Sequence, residues 1–67
     1  MAQKKMLIAE DDSNIQELLK MYMSKEGFDV ETASNGGEAL VKFRVSNPDM
    51  VLLDIMIIFV PLFYLLL

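Results

Sequence analysis

Sixty-seven residues, 54% of them hydrophobic and with a net charge of −4 from ten acidic and six basic side chains, allow one domain with a small core. The acidic balance and the lack of any Lys/Arg cluster exclude a phosphate-backbone binder, so no nucleic-acid partner is expected. The chain has neither cysteine nor histidine, which excludes a disulfide framework and a nitrogen- or sulfur-ligated zinc site.

Charge is unevenly placed. All of it lies in positions 1 to 54, while Ile55 to Leu67 carries none. The chain therefore divides into an ordinary amphipathic segment and an apolar tail. Lys4 and Lys5 are not followed by an apolar stretch of signal-peptide length, and a cytoplasmic location is expected.

In chain order, Lys5 to Ala9 reads as a first strand, an apolar run that ends abruptly in Glu10, Asp11 and Asp12. Ser13-Asn14-Ile15-Gln16 has capping-box spacing and predicts a helix start, with the serine as cap and the glutamine reaching back to it. Ile15, Leu18, Leu19, Tyr22 and Met23 form one apolar stripe at helical spacing. Gly27 ends that helix, with Phe28 folding back on it. Phe28 to Ala33 alternates apolar and polar, the pattern of a strand wet on one side at a sheet edge.

Ser34-Asn35-Gly36-Gly37 reads as a loop, a turn rather than a phosphate cradle. Glu38 to Val45 then forms a shorter helix with Leu40 and Phe43 on one side and Glu38 facing Lys42, until Asn47-Pro48 stops it. Met50-Val51-Leu52-Leu53 is an uninterrupted apolar run that closes on Asp54, the pattern of a central strand covered on both faces. Met6, Met21, Met23 and Met50 are expected to fill the core or its margin.

The order strand, helix, strand, helix, strand, with right-handed crossovers and one helix on each face, fixes a parallel sheet of spatial order 2-1-3. This is a partial flavodoxin-like α/β fold. Strands one and three then flank the point where the chain changes direction, so Glu10, Asp11 and Asp54 converge on one rim. Converging carboxylates repel, and a divalent cation among them relieves the repulsion. Hard oxygen donors favour magnesium. A carboxylate beside such an ion can also act as nucleophile toward a phosphoryl group. Taken alone, the acidic triplet also fits a solvated helix entry.

Three pieces carry a family resemblance: Leu7-Ile8-Ala9-Glu10-Asp11-Asp12, Ala33-Ser34-Asn35-Gly36-Gly37-Glu38-Ala39-Leu40, and Pro48-Asp49-Met50-Val51-Leu52-Leu53-Asp54-Ile55-Met56. In this order and spacing they resemble the first half of a bacterial response-regulator receiver domain of a two-component system. The resemblance implies that Asp54 accepts a phosphoryl group from a sensor histidine kinase. It further implies that Asp11 binds magnesium directly, Glu10 acts mainly through water, and the main-chain carbonyl of Met56 completes the protein ligands beside Asp54. Asp12 matches a more variable acidic position. The chain is then a phosphoacceptor and not an enzyme.

The resemblance covers positions 4 to about 56, which divides the chain into a receiver-like domain at residues 1–56 and an apolar tail at residues 57–67 that departs from it. Where the family continues with a proline, a glycine-containing loop and two strands carrying a hydroxyl residue and a lysine, this chain has Ile57 to Leu67, with neither counterpart. The abrupt change reads as a truncated or frame-shifted receiver domain with impaired signalling output. The uncharged tail is thirteen residues from Ile55, short of the roughly 20 needed to span a bilayer. Pro61 is suited to begin a short terminal helix. Packing against the sheet and self-association are the favoured roles of the tail, with contact to a membrane surface the alternative. Without phosphoryl chemistry, the chain would be a small interaction module.

Overall fold

The computed structural model describes residues 3–53, comprising β1 (Lys5–Ala9), α1 (Ser13–Lys25), β2 (Asp29–Ala33), α2 (Gly36–Ser46) and β3 (Met50–Leu53). The strands form one parallel sheet of order β2-β1-β3, as the crossover rule required. Tail residues 57–67, and the helix expected there, lie outside the described residues.

β1 is the centre of the molecule. It pairs with β2 from Lys5↔Asp29 to Ala9↔Ala33 and with β3 from Met6↔Met50 to Ala9↔Leu53. Met6 to Glu10 are all buried, and Leu7 and Ile8 fully so. One face carries Leu7, Ala9 and Ala33 packed with Ala39 of α2, with Val51 and Leu53 against them. The other face carries Met6 and Ile8, with α1 above it, so the two helices lie on opposite sides.

Polar bonds at the open end of the sheet hold the register. The Asp49 amide donates to the Lys5 carbonyl at 2.9 Å while the Lys5 amide donates to Asp49 Oδ2 at 2.8 Å. The Asp29 amide donates to the Lys4 carbonyl at 2.9 Å. A one-residue slip of β3 would break the first pair and turn Val51 and Leu53 away from the core.

Three local expectations are corrected. The cap of α1 is Asp12 rather than Ser13: its Oδ1 accepts from the amides of Asn14 and Ile15, at 2.9 and 3.2 Å. An ionised carboxylate is the stronger acceptor for amides at the positive end of a helix dipole, and the cap falls one residue earlier. α2 starts at Gly36, inside the expected loop, because Asn35 Oδ1 accepts from the Glu38 amide at 2.8 Å and caps the helix there. The cover on both faces expected of β3 is not found among the described residues: the strand has a neighbour on one side only, Val51 and Leu53 are half-buried against the core, and Met50 and Leu52 are 52% and 37% exposed.

The α1 stripe is real as a pattern but is not a core. No α1 residue is buried, and Leu18 and Tyr22 are 60% and 61% exposed. Of the methionines expected in or near the core, Met6 is buried and Met23 half-buried, whereas Met21 and Met50 are exposed. Phe43 is also exposed. α1 ends as expected: Gly27 takes φ +97°, and the Phe28 amide donates to the Met23 carbonyl at 3.2 Å. α2 ends on Asn47 in the left-handed region at φ 50°, a conformation that asparagine tolerates immediately before Pro48.

The core is concentrated in one strand, which gives a sharp expectation. Leu7→Ala should cost about 2–5 kcal/mol in urea unfolding, whereas Leu18→Ala, despite its place in the stripe, should stay within about 0.5 kcal/mol of wild type. Equal losses would show that the α1 stripe is packed in solution.

Candidate functional site

The carboxyl ends of all three strands lie on one rim, and β1 delivers its acids there. The Glu10 amide donates to the Ala33 carbonyl at 3.0 Å, carrying the β1–β2 ladder one residue past the strand. Its carbonyl accepts from Gln16 Nε2 at 3.0 Å. The same nitrogen donates to the Ala33 carbonyl at 3.1 Å and approaches Ser34 Oγ at 3.4 Å. Gln16 therefore does not close a capping box. It ties the ends of β1 and β2 together and fixes the backbone from which the Glu10 side chain projects.

Glu10 is 7% exposed, and its Oε2 accepts from the Asp11 amide at 3.0 Å. A shallow groove of about 210 Å³, lined by Ile8, Ala9, Glu10, Leu19, Leu52 and Leu53, opens beside it. The apolar wall limits water on that side and strengthens any interaction the carboxylate makes. Asp11, by contrast, is exposed. Asp12 serves as the helix cap, which is the helix-entry role considered for the whole triplet.

Asp54 and Met56, the other two predicted site residues, lie outside the described residues. What is described is the approach to them. Leu53 is abreast of Ala9 in the parallel β1–β3 pair, so each strand is followed in the sequence by an acid, Glu10 after one and Asp54 after the other. Among the described residues no group of three acidic, histidine or cysteine side chains is assembled for a metal. Glu10 and Asp11 form an all-oxygen pair, a donor set that suits a hydrated hard cation.

A second polar cluster stiffens the neighbouring corner. Glu38 Oε1 lies 3.1 Å from Lys42 Nζ, and its Oε2 accepts from the Ser34 amide at 3.3 Å. Lys42 also donates to the Thr32 carbonyl. The Lys42 hydrogen bond, helped by the Ser34 amide, holds the Glu38 carboxyl below its ordinary range. The i,i+4 pairing of Glu38 with Lys42 was legible in the sequence. Their reach back to β2 was not, because helix spacing gives no information about a strand backbone.

The fold and rim define a parallel α/β domain with acids at the carboxyl end of its central strand. A family model for the response regulator receiver domain matches residues 6–58. The chain is 43% identical over 54 residues to the alkaline phosphatase synthesis transcriptional regulatory protein PhoP of Bacillus subtilis, covering 81% of this chain and 22% of that protein. It is 40% identical over 52 residues to the transcriptional regulatory protein ResD of the same organism, covering 78% and 22%. With a transcriptional regulatory protein CpxR homolog of Haemophilus influenzae it shares 52% identity over 52 residues, again 78% and 22%. This chain belongs to the response regulator receiver domain family. It spans about a fifth of the length of these curated relatives.

Two measurements test the supports of the rim. Gln16→Ala removes the donor shared by two strand-end carbonyls and should cost about 1–2 kcal/mol. Gln16→Glu should cost more, since it sets an acceptor against acceptors. The depressed Glu38 carboxyl contributes stability that is present above the ordinary carboxylate range and is lost as pH falls through its lowered folded-state value. Glu38→Gln should therefore flatten part of the acid limb of the stability curve. An unchanged limb would show that the Lys42 pair does not persist in solution.

Proposed function

We propose that this chain is a phosphoacceptor of a two-component phosphorelay, with Asp54 taking a phosphoryl group from a sensor histidine kinase. The observation that carries the reading is the parallel register Ala9↔Leu53, which brings the two acid-terminated strands to one rim side by side. Membership of the receiver family supports it.

In this reading an Asp54 carboxylate oxygen attacks the phosphorus of a phosphorylated imidazole. The P–O bond forms as the P–N bond breaks, and the imidazole nitrogen leaves with the electron pair and takes up a proton. Asp11, Asp54 and the Met56 carbonyl would hold magnesium, with Glu10 acting through water. The bound ion supplies neutralisation of charge on the transferring oxygens. Glu10, whose backbone is held by Gln16 and whose side chain is buried, would orient the water between itself and that site. Asp11, exposed at the rim, is free of capping duty because Asp12 performs it.

The chain is an acceptor of one phosphoryl group per copy, and its setting is cytoplasmic.

The test is incubation with a small-molecule phosphodonor and magnesium, read by intact mass. One phosphoryl increment should appear and should be lost in Asp54→Asn. Magnesium alone should raise the melting temperature, because an ion that binds only the assembled carboxylates stabilises the folded state. A folded chain with no increment and no shift would be a binding module without phosphoryl chemistry.

A further inference from the structure

Glu10 and Asp11 are joined by one peptide, and that peptide is held from both sides. Its oxygen, the Glu10 carbonyl, accepts from Gln16 Nε2 at 3.0 Å. Its N–H, that of Asp11, donates to Glu10 Oε2 at 3.0 Å. A planar peptide gripped at both its oxygen and its hydrogen resists turning, so the directions in which the two acidic side chains leave the backbone are fixed relative to each other. The Glu10 carboxylate supplies one grip from within the pair. Gln16 supplies the other from α1.

The anchor of Gln16 is fixed in the same way. Its second bond goes to the Ala33 carbonyl at 3.1 Å, which also accepts from the Glu10 amide at 3.0 Å, so both lone pairs of that oxygen are engaged. The N–H of the same peptide, that of Ser34, donates to Glu38 Oε2 at 3.3 Å, and Lys42 links Glu38 to the Thr32 carbonyl. One side-chain amide thus spans two immobilised peptides, and a chain of bonds runs from α2 through the end of β2 to the acids. Both strand-end acceptors are carbonyls, so position 16 needs a donor. Gln16 is half-buried while Ser13 to Ile15, Glu17 and Leu18 around it are exposed, so this end of α1 is held by polar bonds and not by apolar packing.

On the reading that these acids serve a magnesium site, we infer that Gln16 is a positioning residue for the pair and sets its preference for magnesium over calcium. Magnesium demands near-ideal octahedral geometry at about 2.0–2.1 Å, whereas calcium accepts more oxygens at about 2.3–2.6 Å in irregular arrangements. A fixed angle between the two acids therefore favours the smaller ion. Release of the Glu10 carbonyl lets the joining peptide turn, and a looser pair penalises magnesium more than calcium. Gln16 touches no ion in this role; it acts through the Glu10–Asp11 peptide.

The test is a titration of the isotope-labelled full chain with magnesium chloride and, separately, calcium chloride, followed at the Glu10 and Asp11 amides. Gln16→Met keeps the length of the side chain and removes both donor hydrogens. It should weaken magnesium binding about 10-fold, the low end of what loss of an outer partner costs, and calcium binding much less. In the metal-free chain the same variant should speed hydrogen exchange at the Asp11 amide while Leu7 and Ile8 keep their protection. Gln16→Asn retains the amide but is one methylene short, so it should narrow the ion preference in the same way and serves if Gln16→Met does not fold. Ser24→Ala, on the same flank of α1, should change neither readout. Equal weakening of both ions, or full magnesium affinity in folded Gln16→Met, would overturn the positioning role and leave the phosphoacceptor reading standing. A folded wild-type chain that binds no magnesium would overturn both.

Discussion

The two-sided parallel pairing of β1 is the constraint on which the rest depends. It buries the run from Met6 to Glu10, gives the sheet its only strand with two neighbours among the described residues, and sends all three strands to the same rim. Both helices begin just past that rim, α1 after Asp12 and α2 after Asn35. Their amino ends carry partial positive charge, which offsets some of the repulsion among the acids gathered there. The parallel order that brings the strand ends to one rim thus also sets two helix amino ends beside the acids there.

A domain of this size has little core to spare, and polar connections carry part of the organisation. The reciprocal Lys5–Asp49 bonds set β3 against β1 at one end, and Gln16 joins β1 to β2 at the other. The Glu38–Lys42 pair ties α2 back to the Thr32 and Ser34 backbone. These contacts lie at strand ends, where an apolar residue would find nothing to pack against. They position the loops more than they add bulk stability, since exposed pairs of this kind contribute little on their own.

The element order and the 2-1-3 sheet were legible because apolar runs, caps and crossover handedness leave few alternatives for a short βαβαβ chain. Gly27 could likewise be placed by local rules. Burial was harder to read. The run Met50 to Leu53 looks central because it is apolar throughout, yet apolarity records what a strand can tolerate and not what covers it. The α1 stripe makes the same point, since periodicity shows which side of a helix can be buried but supplies no partner for it. Gln16 was assigned to a cap by its spacing, and its bonds to Glu10 and Ala33 depend on a strand seventeen positions away in the chain, beyond any local pattern.

The central claim is that the acids following β1 and β3 form one site. The most direct measurement is nuclear magnetic resonance of the isotope-labelled chain during titration with manganese, a paramagnetic stand-in for magnesium. If the account holds, the amides of Glu10 and Asp11 and those of residues 54 to 56 broaden together at the lowest metal concentrations, ahead of all others. Broadening confined to Glu10 and Asp11, with Asp54 still sharp, would contradict it.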